Sequence, residues 1–525
     1  MLKNNLRKHD FHILTAVILS LVFAAVTVFA LSQKERLFMD EVLSYSRSTQ
    51  PVLPADNYNI PYNATYTDPG QMFIENVLSV PKPFNFKDVY IQQRSDVHPP
   101  LYYYLLHFIC SLFPGTFSIW YAGVINILFG ILTLVMLGRI IRVFTDDRLT
   151  YVLSLTVYIF SHAIISQTVF LRMYIMLGFW ITALTYLFIH DPLHEKDIRY
   201  YIYLFITTYC GISTHHHFLL FLASASFAYL LLLLKHRQYK IIMKHSLIIT
   251  AALVCSYLSF PAMVHQIRHS DRAMEAVSNL QAPQNYPQRF QTMTHLLFAN
   301  LFGPQYLPFT LLTLCGVPAF LKLSSHRSQT ILILISAVIF YILITVTASF
   351  QIVRYFFPIY PLLIILVFFF ICSLFRLFPR IQRVSPIIAF AIIFIGNISA
   401  YRHIPLEYLY TGYRNKLQEL EQYQDTDCLY LVQNKKLQGA VFADYAELSK
   451  YKTLTLAVKE DLADAAALLR DKKELIVVTD SGYFYTSDTL SEEIGELLRQ
   501  YGLPYHVTDL GMQTEFTHTY YCRQE

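Results

Sequence analysis

Asp40 and Glu41 are adjacent carboxylates just beyond an apolar run that ends at Leu31. A carboxylate pair at a membrane boundary can supply a general base, a metal ligand or both. A solvated loop end is the plainer alternative, since interfacial acids are common. Further on stands Asp96-Val97-His98-Pro99-Pro100-Leu101-Tyr102-Tyr103-Tyr104. The two prolines stiffen the chain and can begin a helix, which fixes where Asp96 and His98 point. Tyrosines offer amphipathic faces to headgroups or sugar rings, and an aromatic belt accounts for them as well.

Arginine occurs in two similar settings. Phe170-Leu171-Arg172-Met173-Tyr174 sets one arginine between two apolar runs, and Arg354-Tyr355 precedes Phe356-Phe357-Pro358-Ile359-Tyr360-Pro361. An arginine at a membrane boundary is costly and calls for an anionic partner. Two guanidiniums on one side could clamp a phosphate, whose oxygens they match bidentately. Snorkelling to headgroups is the alternative for each. Thr214-His215-His216-His217-Phe218 is a third polar junction. Adjacent histidines on a helix diverge, and HExxH spacing is absent. The three are therefore not a tridentate metal site, although one of them could meet a metal or a phosphate.

These residues must be held by membrane-spanning helices. Of 525 residues, 54% are apolar and 15% charged, and the mean hydropathy is +0.39. Soluble chains carry about 25% charged residues, so a fully soluble or disordered protein is excluded. The net charge of +5 is too small to suggest a nucleic-acid binder. The charge is uneven. Residues 401–525 carry 13 basic and 20 acidic side chains, whereas residues 1–400 carry 28 and 16. Two solvents are implied, lipid for the first 400 residues and water for the last 125.

The run Phe11 to Leu31 follows Lys3, Arg7 and Lys8 and has no clear cleavage site, so it is expected as an uncleaved span with a cytoplasmic N-terminus. Further crossings fit 116–138, 149–171, 173–190, 199–214, 217–234, 243–263, 305–322, 329–348, 355–376 and 384–400. Basic residues then gather in alternate connections, 17 of the 28 on one side, as the positive-inside bias requires. Runs 99–113 and 293–303 are too short to cross and are expected as interfacial or re-entrant segments. Eleven crossings place the tail, the loop 33–98, the Arg172 and Arg354 turns and the histidines on the outer side. A second outer loop, 264–292, shows no resolving pattern.

The tail alternates strand-like runs (Cys428–Val432, Thr453–Val458, Glu474–Val478) with helix-like runs (Gly439–Lys450, Asp461–Arg470, Ser491–Tyr501). That is an α/β pattern without GxGxxG or a P-loop. Seven cysteines form no CxxC pair. A Cys428–Cys522 disulfide stays open, because spacing does not establish geometry.

Asp40-Glu41 after the first span, His98-Pro99-Pro100-Leu101-Tyr102-Tyr103, Arg172-x-Tyr174, Thr214-His215 and Arg354-Tyr355 with a following proline recur in this order. In these motifs the chain resembles the GT-C glycosyltransferases of the protein-mannosyltransferase and aminoarabinose-transferase type, over roughly residues 1–400. The resemblance implies a polytopic α-helical membrane protein of GT-C type, residues 1–400, with a small soluble extracytoplasmic α/β domain, 401–525. It implies a multi-pass enzyme of the cell inner membrane that takes a sugar from a polyprenyl-phosphate donor. The acceptor, whether lipid, protein or glycan, is left open. Asp40 would act on the acceptor and Glu41 would orient it or bind a metal. Arg172, Arg354 and Tyr355 would lie near the donor phosphate, with Asp96, His98, Tyr102, Tyr174, His215 and His216 lining the substrate site. No cofactor is required, and a divalent cation remains open. The alternative from another class is a transporter or flippase of a lipid-linked saccharide. It predicts paired broken helices at the bilayer midplane and internal symmetry, and the sequence displays neither.

Overall fold

The computed structural model describes residues 2–51, 62–432, 444–480, 490–511 and 517–524. They divide into two compact units. One comprises Met1–Ser32, Asp96–Tyr102 and Ala122–Glu407, and the other Gln33–Ser95, Tyr103–Tyr121 and Tyr408–Glu525. The division in the tail thus falls after Glu407. Most of the expected first outer loop groups with the tail rather than with the helices that flank it in sequence.

The first unit is helical, as lipid demands of a backbone that must satisfy its own hydrogen bonds. Among the described residues, seven helices of the chain are long and apolar enough to cross a membrane: Phe11–Ser32, Trp120–Phe144, His217–Lys235, Tyr239–Ser259, Arg327–Thr347, Phe357–Arg376 and Gln382–His403. Two further pairs qualify together but bend. Arg148–Phe160 meets His162–Val169 at 49°, and Pro283–Phe302 meets Leu307–Leu323 at 91°. The expected crossings at 173–190 and 199–214 are the helices Tyr174–Ile189 and Ile198–Thr214, of 16 and 17 residues. The run 99–113 is the 11-residue helix Leu101–Ser111, about half the length of a crossing. The chain is a multi-pass membrane protein by these helices.

Leu21, Phe29, Leu247 and Leu258 keep 66%, 69%, 67% and 68% of their surface exposed, as residues facing acyl chains would. Tyr360–Arg376 is instead buried almost throughout and lies inside the bundle. Hydroxyls within helices turn back on their own carbonyls. Thr133 donates to the Phe129 carbonyl and Thr182 to that of Gly178, both at 2.7 Å, which keeps a polar side chain satisfied away from water.

The second unit is built on a six-stranded sheet. Its strands are β1 (Ala64–Tyr66), β2 (Asp427–Val432), β3 (Thr453–Val458), β4 (Glu474–Asp480), β5 (Tyr505–Asp509) and β6 (Thr517–Gln524), in the order β1-β3-β2-β4-β6-β5. β2 runs parallel to both neighbours, β3 and β4. It is buried at every position, as a parallel strand covered on both faces must be. On one face Leu429, Leu431, Leu475 and Val477 pack with Leu462, Leu469, Ile494 and Leu498. The last four belong to the helices Leu462–Leu469 and Leu490–Gln500. Of the helix expected over 439–450, Tyr445–Leu448 is helical, and 439–443 lie outside the described residues.

Three strands were not expected. β5 and β6 add antiparallel beyond β4. β1 comes from the first outer loop and pairs antiparallel with β3, Thr65 Oγ1 lying 2.8 Å from Thr455 Oγ1. The Cys428–Cys522 disulfide is not formed. Cys428 is in register with Ile476 and Cys522 with Leu475. Consecutive residues of a strand point to opposite faces, so the two thiols are separated by the sheet. Both are free and buried.

Candidate functional site

The candidate residues are distributed over both units, and each set is built within its own unit. In the helical unit the centre is the break between the helices His162–Val169 and Tyr174–Ile189. Its carbonyls are held by side chains from elsewhere. Asn126 Nδ2 donates to the carbonyls of Thr168 and Phe170, both at 2.8 Å, and the Tyr102 hydroxyl donates to the Leu171 carbonyl at 2.9 Å. The Arg172 N–H closes a turn onto the Phe170 carbonyl at 2.8 Å. Arg172 is thereby fixed at a helix entrance, and it is buried, 4% exposed.

The Arg172 Nη2 stands 3.4 Å from His98 Nε2, and His98 Nδ1 stands 3.4 Å from Asp96 Oδ2. A guanidinium only donates, and a carboxylate only accepts. This pattern assigns the imidazole proton to Nδ1, aimed at Asp96. Arg354 reaches the same turn from another element. Its guanidinium lies over the Phe170 ring at 5.8 Å, while Tyr174 stacks on that ring at 5.6 Å. The two arginines thus meet one three-residue segment, Phe170-Leu171-Arg172.

The histidines surround this segment. His215 lies 5.3 Å from the His98 ring, 5.5 Å from Tyr174 and 4.4 Å from His217. His217 in turn lies 5.1 Å from Tyr355. His216 points elsewhere, to Gln266 Oε1 at 3.0 Å, and Gln266 Nε2 donates to the Asp96 carbonyl at 2.8 Å. Gly211 allows this packing, since a Cβ there would fall 2.4 Å from the Phe218 ring. Burial, reinforced by the neighbouring histidines and Arg172, pushes His215 well below the usual imidazole range. Burial also pushes His216 down to about 4, against the opposing pull of the hydrogen bond it donates to Gln266 Oε1. Both stay neutral near pH 7. The positive charge of this cluster therefore rests on the guanidiniums, an arrangement suited to a phosphate.

Asp40 and Glu41 belong to the other unit. They open the helix Met39–Thr49, where carboxylates oppose the positive end of the helix dipole. Glu41 is fully buried. Its Oε2 lies 3.0 Å from Lys34 Nζ and accepts the Phe38 N–H at 2.6 Å. It closes the helix start on which Asp40, half-buried, is presented. Among the described residues, no group of three or more His, Cys, Asp or Glu side chains could hold a metal ion.

Asn126, Phe170 and Gln266 were not singled out from sequence. Asn126 left a signal, being a lone amide in an apolar span. Gln266 left none. A cavity of about 730 Å³ opens at the far ends of the same helices, lined by Arg139, Arg142, Tyr186, His190, Asp191 and His326 among others. No candidate residue lines it.

No family model matches the chain, and no curated protein matches it. Among solved structures, it is similar to ArnT from Cupriavidus metallidurans bound to undecaprenyl phosphate. The identity is 10%, the match covers 95% of this chain and 97% of that one, and the TM-score is 0.49. It is also similar to the archaeal oligosaccharyltransferase AglB from Archaeoglobus fulgidus in complex with an inhibitory peptide and a dolichol-phosphate. There the identity is 11%, the coverage 98% and 74%, and the TM-score 0.46. At these identities neither assigns a role to a residue of this chain.

Proposed function

We propose that the chain is a glycosyltransferase that moves a sugar from a polyprenyl-phosphate-linked donor to an acceptor hydroxyl at the outer face of the cytoplasmic membrane. The observation that carries this is the gathering of Arg172 and Arg354 at Phe170-Leu171-Arg172, with His98 and Asp96 behind Arg172. A lipid phosphate is a good leaving group once its charge is matched, so the enzyme needs guanidiniums more than an acid. Asp40 takes the proton of the acceptor hydroxyl. The acceptor oxygen bonds to the anomeric carbon, the sugar–phosphate C–O bond breaks, and its electron pair leaves on the phosphate that Arg172 and Arg354 hold. A single displacement with one base inverts the anomeric centre, by the geometric logic of inverting hydrolases.

Counting each bent pair as one crossing, and adding Tyr174–Ile189 and Ile198–Thr214 to the seven long helices, gives eleven crossings. An odd number separates the termini, the N-terminus in the cytoplasm and the 401–525 region outside. The basic residues of the alternate connections support that orientation. The test is release of polyprenyl phosphate by the purified chain in a bilayer. A panel of polyprenyl-phosphate sugars would be supplied with membrane extract as acceptor source. Release from at least one donor is expected, and release from none rejects the assignment.

A further inference from the structure

The segment Lys34-Glu35-Arg36 follows the first span, where a run of charges would ordinarily be a solvated juxtamembrane linker. The structure buries it instead. The side chains of Lys34 and Arg36 are each 1% exposed. Every residue of the segment is bonded to the tail of its own unit. Lys34 Nζ donates to the Tyr408 carbonyl, and the Glu35 N–H donates to that of Leu409 at 2.9 Å. Glu35 Oε2 accepts the N–H groups of Gly412 and Arg414 at 3.0 and 2.8 Å. Gly412 reaches this position with φ +102°, which a side chain would resist. Arg36 Nη2 lies 2.7 Å from Asp444 Oδ1, and its guanidinium lies over the rings of Tyr410 and Tyr413 at 5.3 and 5.5 Å.

Asp444 does not stand alone. Lys416 Nζ lies 2.7 Å from Glu447 Oε2, and the Thr519 hydroxyl of β6 donates to Glu447 Oε1 at 3.0 Å. Two cations and two carboxylates therefore form a buried, neutral set tied to the sheet. Apolar side chains of similar volume would fill such a space at less desolvation cost. Ion pairs, unlike apolar contacts, fix one register. Five residues after Arg36 comes Glu41, which ties back to Lys34, and between them stands Asp40.

We infer that the tail is the mount of the acid-bearing loop, and that Arg36 and Asp444 are positioning residues for Asp40. This rests on the glycosyl transfer proposed above, with Asp40 as its base. The tail then has a task in the reaction without touching a substrate. The bonds from 34–36 to 408–414 and Asp444 set the helix start at Met39, and so the direction of the Asp40 carboxylate.

The test compares Arg36→Met, Arg36→Lys, Asp444→Asn and Val477→Ala in the full chain. Val477 packs in the core on one face of the sheet and serves as the control for plain destabilisation. Hydrogen exchange of residues 33–51 is read beside kcat and donor KM, using the donor that the wild-type chain accepts. Arg36→Met and Asp444→Asn should speed exchange over 33–45 at least tenfold. They should lower kcat at least tenfold with donor KM within twofold. Arg36→Lys should recover part of both, and Val477→Ala should leave kcat within twofold. Unchanged exchange over 33–45 in Arg36→Met and Asp444→Asn overturns the mount, and faster exchange with unchanged kcat overturns the positioning of Asp40. Exchange requires no substrate. A wild-type chain that accepts no donor sinks the proposed function, while the exchange result still decides whether the tail holds the loop.

Discussion

Arg172 Nη2 lies 3.4 Å from His98 Nε2, and the same imidazole turns its other nitrogen to Asp96. The imidazole thus links Arg172 to Asp96 and helps fix the direction of the guanidinium. Arg172→Ala should weaken binding of a polyprenyl phosphate about 10- to 100-fold, the equivalent of the ~1.5–3 kcal/mol carried by a hydrogen bond to a charged group. Arg172→Lys keeps the charge but not the planar fork, and should recover only part of the loss. Titration of the lipid into nanodisc-held protein reads both.

Glu41 and Lys34 form a buried pair at 3.0 Å. Burial pushes Lys34 below its ordinary range, and Glu41 pulls the other way. Glu41→Gln removes that pull and strands an ammonium in a dry site. Breaking such a pair costs about 3–5 kcal/mol, so the thermal midpoint in detergent should fall clearly. The double variant Lys34→Met/Glu41→Met removes both charges and should unfold later than Glu41→Gln alone. An equal or lower midpoint for the double variant would contradict the pairing.

His215 and His216 are held neutral by burial, with pKa values below the ordinary imidazole value of 6.5. The unfolded chain therefore binds more protons than the folded one from about pH 6.5 downward. Stability must rise with pH across that window and fall on acidification. His216→Gln should flatten the acid limb, which thermal unfolding between pH 4.5 and 7.5 would show as a smaller spread of midpoints. A spread equal to wild type would remove His216 as a contributor.

The proposed transfer step uses a base and two guanidiniums and no metal. Transfer from the accepted donor should persist in EDTA within about twofold. Loss of activity, restored by a divalent cation, would instead point to a pyrophosphate-linked donor whose extra charge needs a counterion.

The local chemistry was legible in the sequence, and the long-range contacts were not. An arginine between apolar runs announced the Arg172 turn, because charge at a membrane boundary demands a reason. Two prolines after His98 announced a helix start. The alternation of the tail announced β2, β3 and β4. By contrast, nothing local in Ala64–Tyr66 says that it pairs with Thr453–Val458, some 390 residues away. A three-residue edge strand has too little pattern to detect. Nothing local in Lys34 and Arg36 points to their partners at Tyr408 and Asp444, which lie far along the chain.

The central claim places proton abstraction on Asp40 and phosphate binding on the arginines, which makes the two functions separable. The most direct measurement is Asp40→Asn in a reconstituted bilayer, reading polyprenyl phosphate release and polyprenyl phosphate affinity on one preparation. The account predicts release lowered about 100-fold or more, since a positioned base contributes roughly 10²–10⁴, with lipid affinity within twofold of wild type. Full release by a folded Asp40→Asn chain would contradict it.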